Sequence, residues 1–371
     1  MKKIVLLLSS VYLLFAGTLF DKTYMYVGTN TQDKDKKEFS KFETKVLFEK
    51  NIDITDDSKF IFDVIAGYNI DNKNVNNSSF RISQAYYEKF WFEDIMSMSL
   101  GRIEKDFRYS KTYDILNFLN SSGTIEDMDD RYLISGSVDG ISITLNDPYS
   151  TSPRYLALHA YVDDITTKEG IRNTKLVFEA TKIADASKGS IFVNKNSDKN
   201  IAIALAQTTS IGDKFNYNSM IQYQHSDVFT KGIFSSVGIE YSPVSSFLIG
   251  SSFIDLGDGL KSNKERQNKY AELNDEDKIK KMYNDLTSKY YISSFAKHQI
   301  TNNFSYIISG LYNMNDSSIR ASAQVEYEYK NLKFFVQHIS HMGDKWSEFG
   351  EIKEHGFANK TRFLISYLIL D

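Results

Sequence analysis

Ser318-Ile-Arg-Ala-Ser-Ala-Gln-Val-Glu-Tyr-Glu-Tyr329 alternates almost without exception. Ile319, Ala321, Ala323, Val325, Tyr327 and Tyr329 fall on one side, and Arg320, Ser322, Gln324, Glu326 and Glu328 on the other. Side chains along a strand have a period of two, so this segment has one apolar and one charged face. It is longer than the ~5–6 residues usual in globular sheets and meets the ~9–11 that a tilted strand needs to cross a bilayer.

The same pattern recurs along the chain. Phe215, Tyr217, Ile221 and Tyr223 oppose Asn216, Asn218, Gln222 and Gln224, while Phe304, Tyr306, Ile308 and Tyr312 oppose Asn303, Ser305, Ser309 and Asn313. Leu176, Phe178 and Ala180 against Lys175 and Glu179 make a weaker case. In a membrane barrel the apolar face meets lipid and the polar face lines the lumen. On that reading Arg320, Gln324, Glu326, Glu328, Lys175 and Glu179 are candidate pore-lining residues. A soluble sandwich or solenoid is the competing reading, and the length of the strands argues against it.

Strands are expected near 22–31, 39–54, 58–70, 79–92, 95–104, 131–137, 140–146, 154–163 and 172–181. The second half gives 199–209, 215–225, 230–242, 245–256, 288–299, 302–314, 317–330, 332–341 and 359–370. That makes eighteen, or sixteen if the weakest are fused. Tight connections at 55–57, 93–94, 138–139, 243–244, 300–301 and 331 alternate with long ones at 71–78, 105–130, 182–198, 257–287 and 342–358. The segment 164–171 is a longish exception on the tight side. Alternation of this kind marks short periplasmic turns and long outer loops. The expected fold is all-β: a transmembrane antiparallel β-barrel of sixteen to eighteen strands.

The N-terminus agrees with that compartment. Lys2 and Lys3 precede an apolar run from Ile4 to Phe15 and the small residues Ala16-Gly17-Thr18, the build of a cleavable signal peptide. The expected division is a signal peptide over 1–18, cut after Ala16 or Thr18, and a barrel over 19–371. Without Lys2 and Lys3 the chain carries 42 basic against 48 acidic residues, a net charge near −6 that argues against a nucleic-acid partner. With no Cys there is no lipoprotein anchor, no disulfide and no thiolate metal site. There are 3 Pro and 2 Trp but 24 Tyr and 26 Phe, a composition that tells against ordinary soluble domains. The last strand alternates Phe363, Ile365, Tyr367 and Ile369 but ends on Asp371.

One stretch carries a family resemblance. Ile82-Ser-Gln-Ala-Tyr-Tyr-Glu-Lys-Phe-Trp-Phe-Glu-Asp-Ile-Met-Ser-Met-Ser-Leu-Gly-Arg102 resembles a hairpin of porin-like outer-membrane proteins. These include phosphate- and carbohydrate-selective porins and polysaccharide exporters. In them an Ala-Tyr strand turns back into a strand ending Gly-Arg, followed by a long loop. Tyr132 to Leu145, turning at Asp139-Gly140, is similar to the hairpin that follows. The resemblance implies an outer-membrane setting with lipid and lipopolysaccharide around the wall. It also implies the barrel-assembly machinery as folding partner and small hydrophilic solutes as cargo, with a homo-trimer and a monomer both open.

In such barrels the third outer loop commonly narrows the channel. Here 105–130 opens with Lys105, Arg108 and Lys111 and closes with Glu126 and Asp127, opposed charges that would set a transverse field. These are the candidate constriction residues. The loop 257–287 is read as helical, capped at Asn274 or Asp275, with Ile279, Met282, Tyr283 and Leu286 in one stripe.

Catalysis finds little support. His338 and His341 stand three apart on a strand and so face opposite sides, and no His-Glu-x-x-His occurs. No cofactor or metal is expected. The expected function is passive diffusion of small hydrophilic solutes through a water-filled outer-membrane pore. A polysaccharide exporter and an adhesion barrel with a closed lumen are the alternatives.

Overall fold

The computed structural model describes residues 20–34, 37–70, 76–104, 137–147, 154–162, 168, 175–184, 187–196, 201–225, 232–271, 286–344, 346–352 and 359–370. The strands are β1 (Lys22–Lys34), β2 (Lys37–Thr55), β3 (Ser58–Ile70), β4 (Asn76–Trp91), β5 (Met96–Glu104) and β6 (Ser137–Asp147). Then come β7 (Arg154–Val162), β8 (Lys175–Ala184), β9 (Ser187–Asn196), β10 (Ile201–Ile211), β11 (Phe215–His225) and β12 (Gly232–Val244). The series ends with β13 (Phe247–Asp255), β14 (Tyr290–Thr301), β15 (Phe304–Asn313), β16 (Ile319–Tyr329), β17 (Leu332–Met342) and β18 (Asn359–Leu370). Among the described residues, helices α1 (Asn263–Ala271) and α2 (Glu348–Ile352) sit in the connections after β13 and β17.

All eighteen strands form one sheet in which each pairs antiparallel with its sequence neighbours. The ring closes between β1 and β18, for example at Val27↔Ile365 and Asn30↔Arg362. Closure leaves no edge strand, which is what lets strands span a hydrocarbon layer with every backbone group paired.

Burial follows the two-residue period with the polarity of a soluble protein inverted. Along β16, Ser322 and Gln324 are buried while Val325, Tyr327 and Tyr329 are 39–52% exposed. Leu205, Ile221, Val237 and Ile239 likewise point outward, and Gln222, Ser236 and Ser252 inward. Aromatic pairs ring the short-turn end: Phe215 with Tyr241 at 4.5 Å, Phe247 with His298 at 5.4 Å, and His298 with Tyr306 at 5.7 Å. Phe253 and Tyr290, at 5.9 Å, and Tyr312 mark the opposite end. Phe304 and Tyr312 lie about 27 Å apart along β15 at ~3.4 Å per residue, or ~20 Å along the membrane normal at a tilt near 40°, comparable to the ~25 Å apolar band of such barrels.

Two segments depart from the sequence reading. No hairpin turns at Asp139-Gly140: β6 runs straight through, and Gly140 pairs with Gly101 on one side and Tyr161 on the other. A Cβ on Gly140 would stand 2.0 Å from the Ala160 carbonyl oxygen, so this glycine serves close strand approach and not a turn. Conversely, the expected loop 182–198 contains β9, which pairs with β8 and β10 along its whole length. These changes put the β6–β7 connection at the short-turn end and the β7–β8 connection, which contains the 164–171 segment read as an inner turn, at the long-loop end. Within 257–287 the described helix is α1, ahead of the expected one; residues 272–285 lie outside the described residues.

Candidate channel lumen and outer rim

The inner wall is built from the inward half of each strand. On β16, Gln324 donates to Glu326 at 3.0 Å, and Lys333 of β17 bridges Glu326 at 3.1 Å and Glu328 at 3.6 Å. Arg362 of β18 donates to Gln337 at 3.3 Å, and Gln337 reaches Ser322 at 3.5 Å. Arg320 lies between Leu311 and His341 at the outer end of the same face. A second charged group sits on β3 and β4, where Gln84 donates to Asp63 at 2.7 Å and Lys59 pairs with Glu88 at 3.2 Å.

The candidate lumen residues therefore divide. Arg320, Gln324, Glu326 and Glu328 share one inner strip with Lys333, Gln337 and Arg362. Glu179 lies on β8, far around the ring, buried and accepting from Thr181 at 3.1 Å. Beside it Ser142 and Tyr161 contact His159 Nδ1 at 2.7 and 3.1 Å. Lys175 heads β8 opposite Tyr161, with its side chain outside the described residues. The constriction candidates Lys105, Arg108, Lys111, Glu126 and Asp127 also lie outside the described residues. His338 and His341 fall on opposite faces: His338 is exposed and contacts Thr361 at 2.8 Å, whereas the His341 ring lies 6.2 Å from that of Phe349.

At the root of the 105–136 connection, Arg102 grips Asp139 through two parallel bonds of 2.7 and 2.8 Å. Bidentate pairing of this kind fixes geometry as well as adding energy. It locks β5 to β6 where the connection leaves the wall. Gly101 before it has φ +134°, and a Cβ there would meet the Ala85 carbonyl oxygen at 2.2 Å.

The outer rim holds an assembly that the sequence does not announce. Arg266 of α1 is 1% exposed and donates to Asp316 Oδ2, to Ser288 Oγ and, at 3.4 Å, to Glu348 Oε2. Glu348 also accepts from Thr287 N at 2.8 Å, Tyr291 OH at 2.7 Å and Asn313 Nδ2 at 2.7 Å. Asp316 accepts from Ser318 N at 2.9 Å and from Glu348 N at 2.7 Å. Two carboxylates thus share one guanidinium in a buried site, and neutral donors satisfy their remaining lone pairs. Burial by itself pulls the Arg266 pKa down, but Glu348 and Asp316 outweigh it and hold the pKa above its ordinary value. Removing one partner from such a cluster costs roughly 3–5 kcal/mol, because the other charge stays buried and uncompensated.

A groove of about 1040 Å³, lined mainly by outward residues such as Leu156, Ile191, Leu205, Ile221 and Val237, lies on the outer wall and not in the lumen.

A closed ring of eighteen antiparallel strands, with its amide, hydroxyl and charged side chains mostly within and an apolar surface without, defines the architecture of a porin-type β-barrel. No protein-family model and no curated protein matches the sequence. Solved structures do match. Pseudomonas aeruginosa OprD superposes with a TM-score of 0.57 at 9% identity, covering 96% of each chain. P. aeruginosa OccK11 (OpdR) gives 0.58 at 10% identity over 94% of this chain and 95% of that one. Acinetobacter baumannii OccAB3 gives 0.59 at 9% identity over 94% and 98%. Fold is shared across nearly the whole length where sequence is not.

Proposed function

We propose that the chain is an outer-membrane channel, exported with residues 1–18 removed, that passes small hydrophilic solutes by passive diffusion. The inverted wall carries this reading. Buried Gln222, Gln324 and Gln337 point inward, while Leu205, Ile221 and Val325 point out. Such a surface is unfavourable in water and matched to lipid outside and water within. The fold likeness to OprD and the Occ proteins supports the same reading. The described residues are used for wall, rim and charge placement, and we assign the chain no catalytic role. Its partners on this reading are the lipid and lipopolysaccharide around the wall, the barrel-assembly machinery and the permeating solutes.

Purified protein in planar bilayers should give discrete open steps that scale with salt conductivity. A protein that inserts and folds yet never conducts would overturn the diffusion reading and leave a closed-lumen binding barrel.

A further inference from the structure

Tyr291 and Asn313 stand opposite each other in register and, by alternation with Ser293 and Leu311, point into the ring. Both donate to Glu348 of α2. Phe349, 2% exposed, packs near His341 on the inner face of β17. Helix α2 is therefore seated inside the rim, against β14, β15 and β17, and does not stand outward from it. On α1, Lys264, Glu265, Gln267, Asn268 and Lys269 are exposed, whereas Arg266 is buried and ties this helix to the assembly.

From this geometry we infer that the Arg266–Asp316–Glu348 cluster is a latch joining α1, residues 314–318 and α2 into one lid across part of the pore mouth. The inference rests on the channel reading. The latch acts as a unit because the three charges are mutually dependent. Withdrawing Arg266 leaves two buried carboxylates with no shared cation, and both must then hydrate. An assembly held by one charge cluster, with exposed polar side chains elsewhere on α1, can open when that cluster is broken and so is suited to gating solute entry. The lid thus sets how large a solute passes, and the charged strip below it at Arg320 sits directly behind the entrance.

The test uses full-length protein with two readouts, single-channel conductance and trypsin cleavage at Lys264 and Lys269 of α1. Arg266→Met should raise conductance roughly twofold by widening the mouth. Cleavage should speed up by about tenfold, because cleavage follows local opening. Arg266→Lys restores the cation and should return both readouts towards wild type. Should Met at position 266 prevent assembly, Glu348→Gln, which keeps the shape and an acceptor oxygen, is read by the same two measurements. An assembled variant in which neither readout moves overturns the lid, and so does either change without the other. If wild type and variants alike fail to conduct, the channel reading fails and the lid falls with it. A conducting wild type with unresponsive variants sinks the lid alone.

Discussion

The inner wall differs sharply between two arcs of the ring. From β16 to β18 it carries Arg320, Glu326, Glu328, Lys333 and Arg362, and β3 and β4 continue the series with Lys59, Asp63 and Glu88. From β10 to β13 the inward positions include Ala204, Ala206, Asn218, Met220, Gln222, Phe234, Ser236, Ser252 and Ile254, with Glu240 the one charge among the described side chains. In a ring of eighteen, β10 stands opposite β1, so a charged arc faces a neutral one. The outer surfaces differ as well. Leu205, Ile221, Val237 and Ile239 cover the neutral arc; Val325, Val336, Phe363 and Tyr367 cover the charged arc likewise, but there His338, Ser340 and Thr361 interrupt the apolar surface with one polar patch. On the channel reading, a lumen with its charge concentrated on one arc imposes a field across the permeant's path, which orients dipolar solutes in confined water. Amides and hydroxyls opposite can exchange hydrogen bonds with whatever passes, without holding it by charge.

The largest expected effect concerns the two exteriors. Leu205 is 53% exposed in mid-strand, and Arg there should cost about 2–4 kcal/mol at the bilayer midplane and block assembly. Ala323→Arg, between Ile308 and His338, should be tolerated better because it enters the polar patch of His338, Ser340 and Thr361. Heat-modifiable migration of the folded barrel reads both. Equal behaviour of the two variants would erase the distinction between the outer surfaces.

A smaller effect separates the interiors. Lys333→Gln removes the cation shared by Glu326 and Glu328, so reversal potentials in a salt gradient should shift towards cations. Asn218→Ser on the neutral arc should leave ion preference where it was. A shift of the same size from Asn218→Ser would mean the wall is electrostatically uniform.

The smallest effect lies at the short turns. Asp57, in the turn after β2, is held below its ordinary pKa by Lys89, at 2.6 Å, and by Thr55. A carboxylate with a lowered folded pKa stabilises the folded state above its unfolded value of 3.8, and loses that contribution as pH falls through the folded value. The urea midpoint of wild type should exceed that of Asp57→Asn slightly at neutral pH and converge with it on acidification. The turn Ser245-Ser246 on the neutral arc has no titrating side chain, and replacing it by Ala-Ala should give no such pH dependence.

Alternation by itself determined the wall. The two faces of Ser318–Tyr329 and of Phe215–Tyr223 follow from the two-residue period, and closure into a barrel follows from having to pair every backbone group in lipid. The number eighteen emerged with two errors that cancelled, a false hairpin over 131–146 and a missed strand at β9. Ser187-Lys-Gly-Ser190 has turn chemistry, and only pairing with β8 and β10 on both sides holds it extended. Asp139-Gly140 likewise suits a tight turn, but Tyr161 and the Ala160 carbonyl close by require a residue without a Cβ. The lumen strip was legible only on β16; on β17, Phe334-Phe335-Val336 hides the period that places Lys333 and Gln337 inward. The rim cluster was not legible at all. Arg266, Asp316 and Glu348 come from three connections with no periodicity, and side chains so distant in sequence meet only once the barrel has fixed the ends of their loops.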